Sequence, residues 1–252
     1  MSLEFLAVDR TGHPDVAAPV AQSPFARRQQ AAGARFEVRD GWRIAIAFGD
    51  VEAELEACRS RVGIADRSSL GKLELQASAA ELAAVVAELG AGAELAPGKA
   101  VRAGEAWWCP WRPERVLVLT PPTETAAVRD ALEAAAGDRF ASVVDLTAGL
   151  AALAVIGPGA RELLARLTAI DLREARLPEG GFRPGSVARV PGALLREQGD
   201  RFLVLVGAYH ADYIWAAITD AGEPLGAMAV GAGALERLGA RGSPAAGVLA
   251  DA

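Results

Sequence analysis

Two consecutive stretches of the chain carry the same order of periodicities, and that repeat limits the fold more than any other feature. In the first, "GKLELQ" alternates as a strand and "SAAELAAVVAELG" reads as an amphipathic helix capped by Ser78 and stopped at Gly90. The strands "GEAWWCPW" and "RVLVLT", the helix "TETAAVRDALEAAAG" and the strand "FASVVDL" follow. The second pass gives "LAALAVIG", the helix "PGARELLARL", the strands "GSVARV" and "RFLVLVG", the helix "AYHADYIWAAITDAG" and the strand-like "GAMAVG". Each pass reads β-α-β-β-α-β, the split βαβ order of ferredoxin-like units. The expected class is therefore α+β, with two antiparallel units spanning about residues 71–146 and 151–230, each a sheet with two helices on one face.

Ahead of the repeat, residues 1–22 lack periodicity and hold Pro14 and Pro19, so they are expected to form an extended arm. Ser23 and Pro24 suit the N-cap and first position of a short helix. "ARFEVRDGWRIAIAF" alternates around Asp40-Gly41, a strong hairpin signal, and the hairpin is expected to join one of the two sheets. In "DVEAELEACRSRVG", Val51, Leu55, Cys58 and Val62 share one helical face, with Asp50 as cap and Gly63 as stop. One domain is expected over residues 23–241, with a flexible tail at 242–252.

The net charge of −6 over 252 residues argues against a general phosphate-backbone binder. Two cysteines, Cys58 and Cys109, stand far apart in no ligand pattern, which excludes a disulfide scaffold or zinc ribbon. His13 and His210 leave little material for a metal site, and none is expected. No apolar run reaches the roughly 18 residues of a membrane span, and the N-terminal stretch has no basic region ahead of an apolar core. The expected location is the cytoplasm.

"AVIGPGARELLARL" invites a different reading, since strand, glycine-rich turn and helix also build phosphate loops. No Gly-Lys-Ser/Thr follows Gly159 and no GxGxxG spacing is present, so the lysine and hydroxyl that engage phosphate are missing. Pro158 suits a first helical turn. The expectation is a structural corner.

Several longer stretches share a pattern with a known family. "SPFARRQQAAGARFEVRDGW" followed by "GDVEAELEACRSRVGIADRSSLGKLEL" resembles the N-terminal part of the glycine cleavage T-protein (aminomethyltransferase) family. "VVDLTAGLAALAVIGPGARELLARLTAIDL" matches that family's strand and "GP-x-A" helix. "ARVPGALLREQGDRFLVLVGAYHADYIWAAI" is most similar to the gamma subunit of heterotetrameric sarcosine oxidases, a member of the same superfamily. The resemblance covers about residues 23–241 and implies tetrahydrofolate as cofactor, held in a central channel. It also implies a fold without the family's C-terminal barrel domain, as in the gamma subunits.

The resemblance implies Arg67, Glu197 and Arg237 as cofactor-binding residues. Arg67 lies in "ADRSSLGK", where the family's turn approaches the channel. Glu197 and Asp200 in "REQGDRFLV" stand one or two places out of register with the family's folate-holding glutamate, and Arg237 matches the arginine of "RLEAG". The family's aspartate in "DDLIV" has no counterpart; Glu105 in "GEAWWCPW" is the acid nearest that place, so no catalytic residue is assigned. Two main functions stay open, beside a plainer third, a folate-binding protein without transfer chemistry. One is a non-catalytic accessory subunit, similar to sarcosine oxidase gamma, with an oxidase or one-carbon enzyme as protein partner. The other is a stand-alone tetrahydrofolate-dependent aminomethyltransferase.

The remaining distinctive side chains carry plainer expectations. Cys109 reads as a small buried hydrophobe and His210 as a solvated side chain, while Tyr209, Tyr213 and Ile214 are expected to form the apolar side of their helix. Trp107, Trp108 and Trp111 pack inward, stack on a pterin or, with Trp215, expose an aromatic patch for a partner.

Overall fold

A computed structural model describes residues 20–89 and 95–240. Residues 1–19 of the expected arm, the whole expected tail and the helix stop at Gly90 lie outside them. The chain enters through β1 (Ala21–Gln22), α1 (Ala26–Ala31), β2 (Arg35–Arg39), β3 (Trp42–Ala47), α2 (Val51–Ser60) and β4 (Val62–Asp66). Phe25 rather than Ser23 is the N-cap of α1, and the Ser23 hydroxyl accepts a hydrogen bond from the Phe25 N–H. The hairpin turns at Asp40 and Gly41, both at positive φ (50° and 76°), as a primed two-residue turn requires. It does not join either larger sheet. β1 pairs in parallel with β3, so β1, β3 and β2 make a three-stranded sheet of their own.

The first repeat comprises β5 (Gly71–Ala77), α3 (Ala79–Glu88), β6 (Val101–Ala103), β7 (Ala106–Arg112), β8 (Arg115–Thr120), α4 (Thr125–Ala136) and β9 (Ala141–Asp145). Its sheet runs β6-β7-β8-β5-β9 with every neighbour antiparallel. Leaving aside the short β6, this is the strand order of a split βαβ unit. Asp50 and Ser78 cap α2 and α3 by accepting the N–H of Glu52 and Glu81.

The second repeat comprises β10 (Leu150–Ile156), α5 (Ala160–Ala165), β11 (Phe182–Val187), β12 (Val190–Gln198), β13 (Arg201–Gly207), α6 (Ala211–Gly222) and β14 (Ala227–Val230), and α7 (Ala232–Ala240) follows. Two departures from the expected pattern occur here. "GSVARV" holds a turn, because Ala188 and Arg189 adopt positive φ (47° and 67°) and fold β11 back on β12. And β14 does not meet β10. β4 inserts between them, antiparallel to β10 and parallel to β14, giving the order β11-β12-β13-β10-β4-β14. Gly63 therefore lies inside a strand, and α2 ends earlier, at Ser60.

Alternation along the central strands fills two faces at once. In β10, Leu153 and Val155 pack with Leu163 of α5 and Ile214 and Ile218 of α6. Ala152 and Ala154, on the opposite face, pack with Cys109, Leu117 and Leu119 of the five-stranded sheet. The other face of that sheet carries Leu73, Leu75 and Val118 against Leu82 and Val85 of α3 and Leu132 of α4. Four layers result: helices, sheet, sheet, helices. Each large apolar side chain closed between them contributes about 1.5–3 kcal/mol.

On α6 the apolar face is Ile214, Trp215 and Ile218, whereas Tyr213 and, in the 3-10 turn before the helix, Tyr209 are 51% and 83% exposed. Trp215 packs against Phe25 and Phe48, with ring centroids 5.8 and 6.3 Å apart. Trp108 is also core. The expected partner patch thus loses two of its four tryptophans to the interior. Among the described residues, no helix is long and apolar enough to cross a membrane.

Candidate functional site

The chain crosses between the two large sheets twice, and the crossings lie side by side. One leaves β4 and enters β5 through residues 67–70; the other leaves β9 and enters β10 through residues 146–149. Each opens with an aspartate that accepts the N–H two residues on: Asp66 from Ser68 and Asp145 from Thr147, both at 2.8 Å. Ser68 is buried, and its hydroxyl accepts the Ala152 N–H at 3.1 Å, so it continues the pairing of β4 with β10 by one step.

This geometry turns Arg67 toward the end of the layer between the sheets. Its Nη1 lies 3.4 and 3.5 Å from the two carboxylate oxygens of Glu197 on β12. Arg201, across the hairpin that follows, approaches the same carboxylate at 2.9 Å. Burial draws the Arg67 guanidinium below its ordinary range, Glu197 works against that, and Arg201 adds to it. Arginine stays charged throughout.

A cleft of about 700 Å³ opens at this ion cluster. Its walls come from the Arg67 turn, the β12–β13 hairpin, Arg102 and Glu105 beside the β6–β7 turn, Trp107, Pro121-Pro122 after β8, and Ala232, Leu235 and Glu236 of α7. Arg67 and Glu197 are thus brought together, 130 residues apart in sequence. Arg237 is not brought to them. Ala232, Leu235 and Glu236 share the cleft-facing side of α7 at i, i+3 and i+4, and the next residue turns away to pair with Glu52 on α2.

The sequence reading passed over Asp66, Arg201 and Arg102. For Arg201 a weak signal was present: "REQGDR" concentrates charge at a tight hairpin between two apolar strands. Trp107 is half-buried and lines the cleft; Trp111 packs edge-on against Phe182 at 5.6 Å. Cys109 is fully buried and its thiol is pushed far up, first by burial and then by Glu197, so it is not a nucleophile.

Gly157-Pro158-Gly159 is a corner. The Gly157 N–H donates to the Asp200 carbonyl at 3.0 Å and the Gly159 N–H to the Arg61 carbonyl at 3.1 Å. With Pro158 lacking an N–H, no donor of the three is left to turn toward a phosphate.

Residues 106–241, more than half of the chain, match the family model for the GCVT N-terminal domain. The chain belongs to that family. Within this T-protein superfamily, it is 32% identical over 227 residues to an aminomethyltransferase of Streptomyces coelicolor, covering 80% of this chain and 57% of the relative. An aminomethyltransferase of Frankia alni is 32% identical over 237 residues, covering 88% and 63%. The chain therefore spans about six-tenths of the length of these curated relatives.

Solved structures of low identity share the fold. Glycine cleavage system aminomethyltransferase T from Bartonella henselae superposes with a TM-score of 0.70 at 18% identity, over 85% of this chain and 60% of that one. A chain of the heterotetrameric sarcosine oxidase from Corynebacterium sp. U-96 gives 0.65 at 22% identity, over 82% and 96%. The α+β architecture of this GCVT N-terminal domain is thus that of the T-protein N-terminal region.

Proposed function

We propose that this GCVT N-terminal domain binds tetrahydrofolate in the cleft and acts as a non-catalytic, T-protein-like module for a partner oxidase or one-carbon enzyme. The cleft suits such a ligand on three counts. Its volume lies within the range of small-molecule sites. Arg67, Arg102 and Arg201 are cations suited to a ligand's carboxylates, and Glu197 is an acceptor for ring N–H groups. Trp107 adds an aromatic wall. Bound there, tetrahydrofolate would supply the nitrogens that carry a one-carbon unit.

The observation that carries the non-catalytic reading is the state of the cleft's acids. All five lining carboxylates are engaged within the chain: Glu197 by Arg67 and Arg201, Glu105 by Arg102, Glu236 by Arg39, Asp66 by Gln29 and the Ser68 N–H, and Glu179 by the Gly199 N–H. Each of the five thus already accepts from a donor of the chain, and none is an unpartnered acid in the cleft. The fold shared with a chain of a heterotetrameric oxidase supports a protein partner.

The alternative is a stand-alone aminomethyltransferase, favoured by the activity named for the curated relatives. Glu105 would then be its acid, because it lies on the cleft wall and is the acid nearest the place of the family's aspartate. Titrating the purified chain with 5-formyltetrahydrofolate tests the ligand. Binding weakened about ten- to hundred-fold in Arg67→Ala supports it, the equivalent of one charged hydrogen bond, and no binding overturns it. Turnover of an aminomethyl donor with tetrahydrofolate that disappears in Glu105→Gln would establish the alternative instead.

A further inference from the structure

Beneath the cleft lies a lysine that takes no part in the ion cluster. Lys72, near the start of β5, is fully buried, and no carboxylate is among its hydrogen-bond partners. Its Nζ donates to three backbone carbonyls: Ser68 at 2.8 Å, Leu70 at 2.8 Å and Thr147 at 3.1 Å. Two of these belong to the crossing that carries Arg67 and the third to the crossing beside it. The Lys72 backbone joins the same pair, its N–H donating to the Thr147 hydroxyl and its carbonyl accepting from Leu146. One side chain thus ties the two sheet-to-sheet crossings together.

We propose that Lys72 is the positioning residue of the cleft: its ammonium holds the Arg67 turn in place, and loss of its proton releases that turn. The chemistry follows from counting donors. An ammonium has three N–H groups for three carbonyls, whereas a neutral amine has two and points a lone pair at the third. A buried carbonyl that faces a lone pair is repelled, and the turn that bears it moves. Asp66 at the end of β4 and Asp145 at the end of β9 are the charged groups that favour the ammonium, while burial opposes it and brings its titration down to about 8. The switch therefore falls in an accessible pH range.

The test uses the full chain, first without ligand. Carbonyl ¹³C shifts of Ser68, Leu70 and Thr147 and the Arg67 Nε–H resonance are followed by NMR through this range. They are expected to titrate together near pH 8 in the wild type and to be flat in Lys72→Met. Asp145→Asn keeps an oxygen for the Thr147 N–H but removes one charge favouring the ammonium, so its midpoint moves to lower pH. Flat wild-type shifts, an Arg67 signal that ignores the carbonyl transition, or an unmoved midpoint in Asp145→Asn each overturn the proposal.

The ligand arm rests on the folate reading above. The affinity for 5-formyltetrahydrofolate should fall about two- to ten-fold on crossing the transition, the equivalent of one net hydrogen bond. Lys72→Met should show the weaker affinity at both ends. An affinity that stays constant while the carbonyls titrate overturns the positioning role. Absence of folate binding at every pH removes the folate reading, and the ligand-free titration then decides the role of Lys72 alone.

Discussion

Replacing Glu197 with Gln isolates the electrostatic core of the cleft, because the change keeps the shape and removes one charge. The Glu197 side chain is 11% exposed, and its carboxylate is shared by Arg67 and Arg201, themselves 22% and 27% exposed. Without it, two guanidiniums repel each other across a space with little water. Breaking a fully buried pair costs about 3–5 kcal/mol, whereas exposed pairs are worth about 0.2–1 kcal/mol. The partial exposure places Glu197→Gln between these limits, at about 2 kcal/mol. For a chain of this size that is a loss of roughly 4–8 °C in Tm. The assay is urea unfolding, in which the midpoint should fall with an unchanged m-value. The defect should shrink in about 1 M salt, where screening weakens the exposed part of the arginine–arginine repulsion. In a double-mutant cycle, Arg67→Met should cost less in the Glu197→Gln background than in the wild type. A Glu197→Gln protein within about 0.5 kcal/mol of wild type, a scatter ordinary for surface changes, would refute the cluster as an energetic unit.

Gly157→Ala should destabilise by about 3 kcal/mol or more, from backbone strain and overpacking together. Gly157 sits at φ +116°, and an added Cβ would meet the Arg61 and Cys58 carbonyl oxygens at 2.6 and 2.7 Å. A calorimetric Tm equal to wild type would contradict it. Ser68→Ala leaves the buried Ala152 N–H without its acceptor and should cost about 1–3 kcal/mol, measured by chemical denaturation; a neutral result would show that another acceptor replaces the hydroxyl. For Lys72, the unfolded chain binds more protons than the folded one between about 8 and 10.5, so its contribution to stability rises with pH across that window. The Cys58 thiol, held at about 11 by burial, acts in the opposite direction above pH 9. The difference in unfolding free energy between wild type and Lys72→Met should therefore grow from pH 8 to 10; a constant difference would place the lysine titration elsewhere.

Much of this domain is local and was open to reading along the chain. Alternation, the caps at Asp50 and Ser78 and the primed turn at Asp40-Gly41 depend on neighbours a few residues away, and so do the four helices of the repeat. The corner at Gly157–Gly159 belongs with them, since what it lacked for phosphate binding was a matter of spacing. The resemblance to the T-protein family reached further, because a pattern over many positions carries the fold even where single motifs depart.

What only the tertiary structure decided involves partners remote in sequence. The segment Val62–Asp66 is too short for a clear period and follows a helix directly, so nothing local marked it as a strand. It becomes one because β10 and β14 leave a slot between them whose backbone groups need pairing. Its insertion aims Arg67 at Glu197, while one residue of helical phase sends Arg237 away to Glu52. Lys72 was visible only as a lysine in an alternating strand. Its three carbonyl partners come from two turns that become neighbours when one sheet stacks on the other. Propensity and pattern act over a few residues, whereas strand adjacency, sheet stacking and the pairing of buried charge are settled by which surfaces meet once the chain has closed on itself.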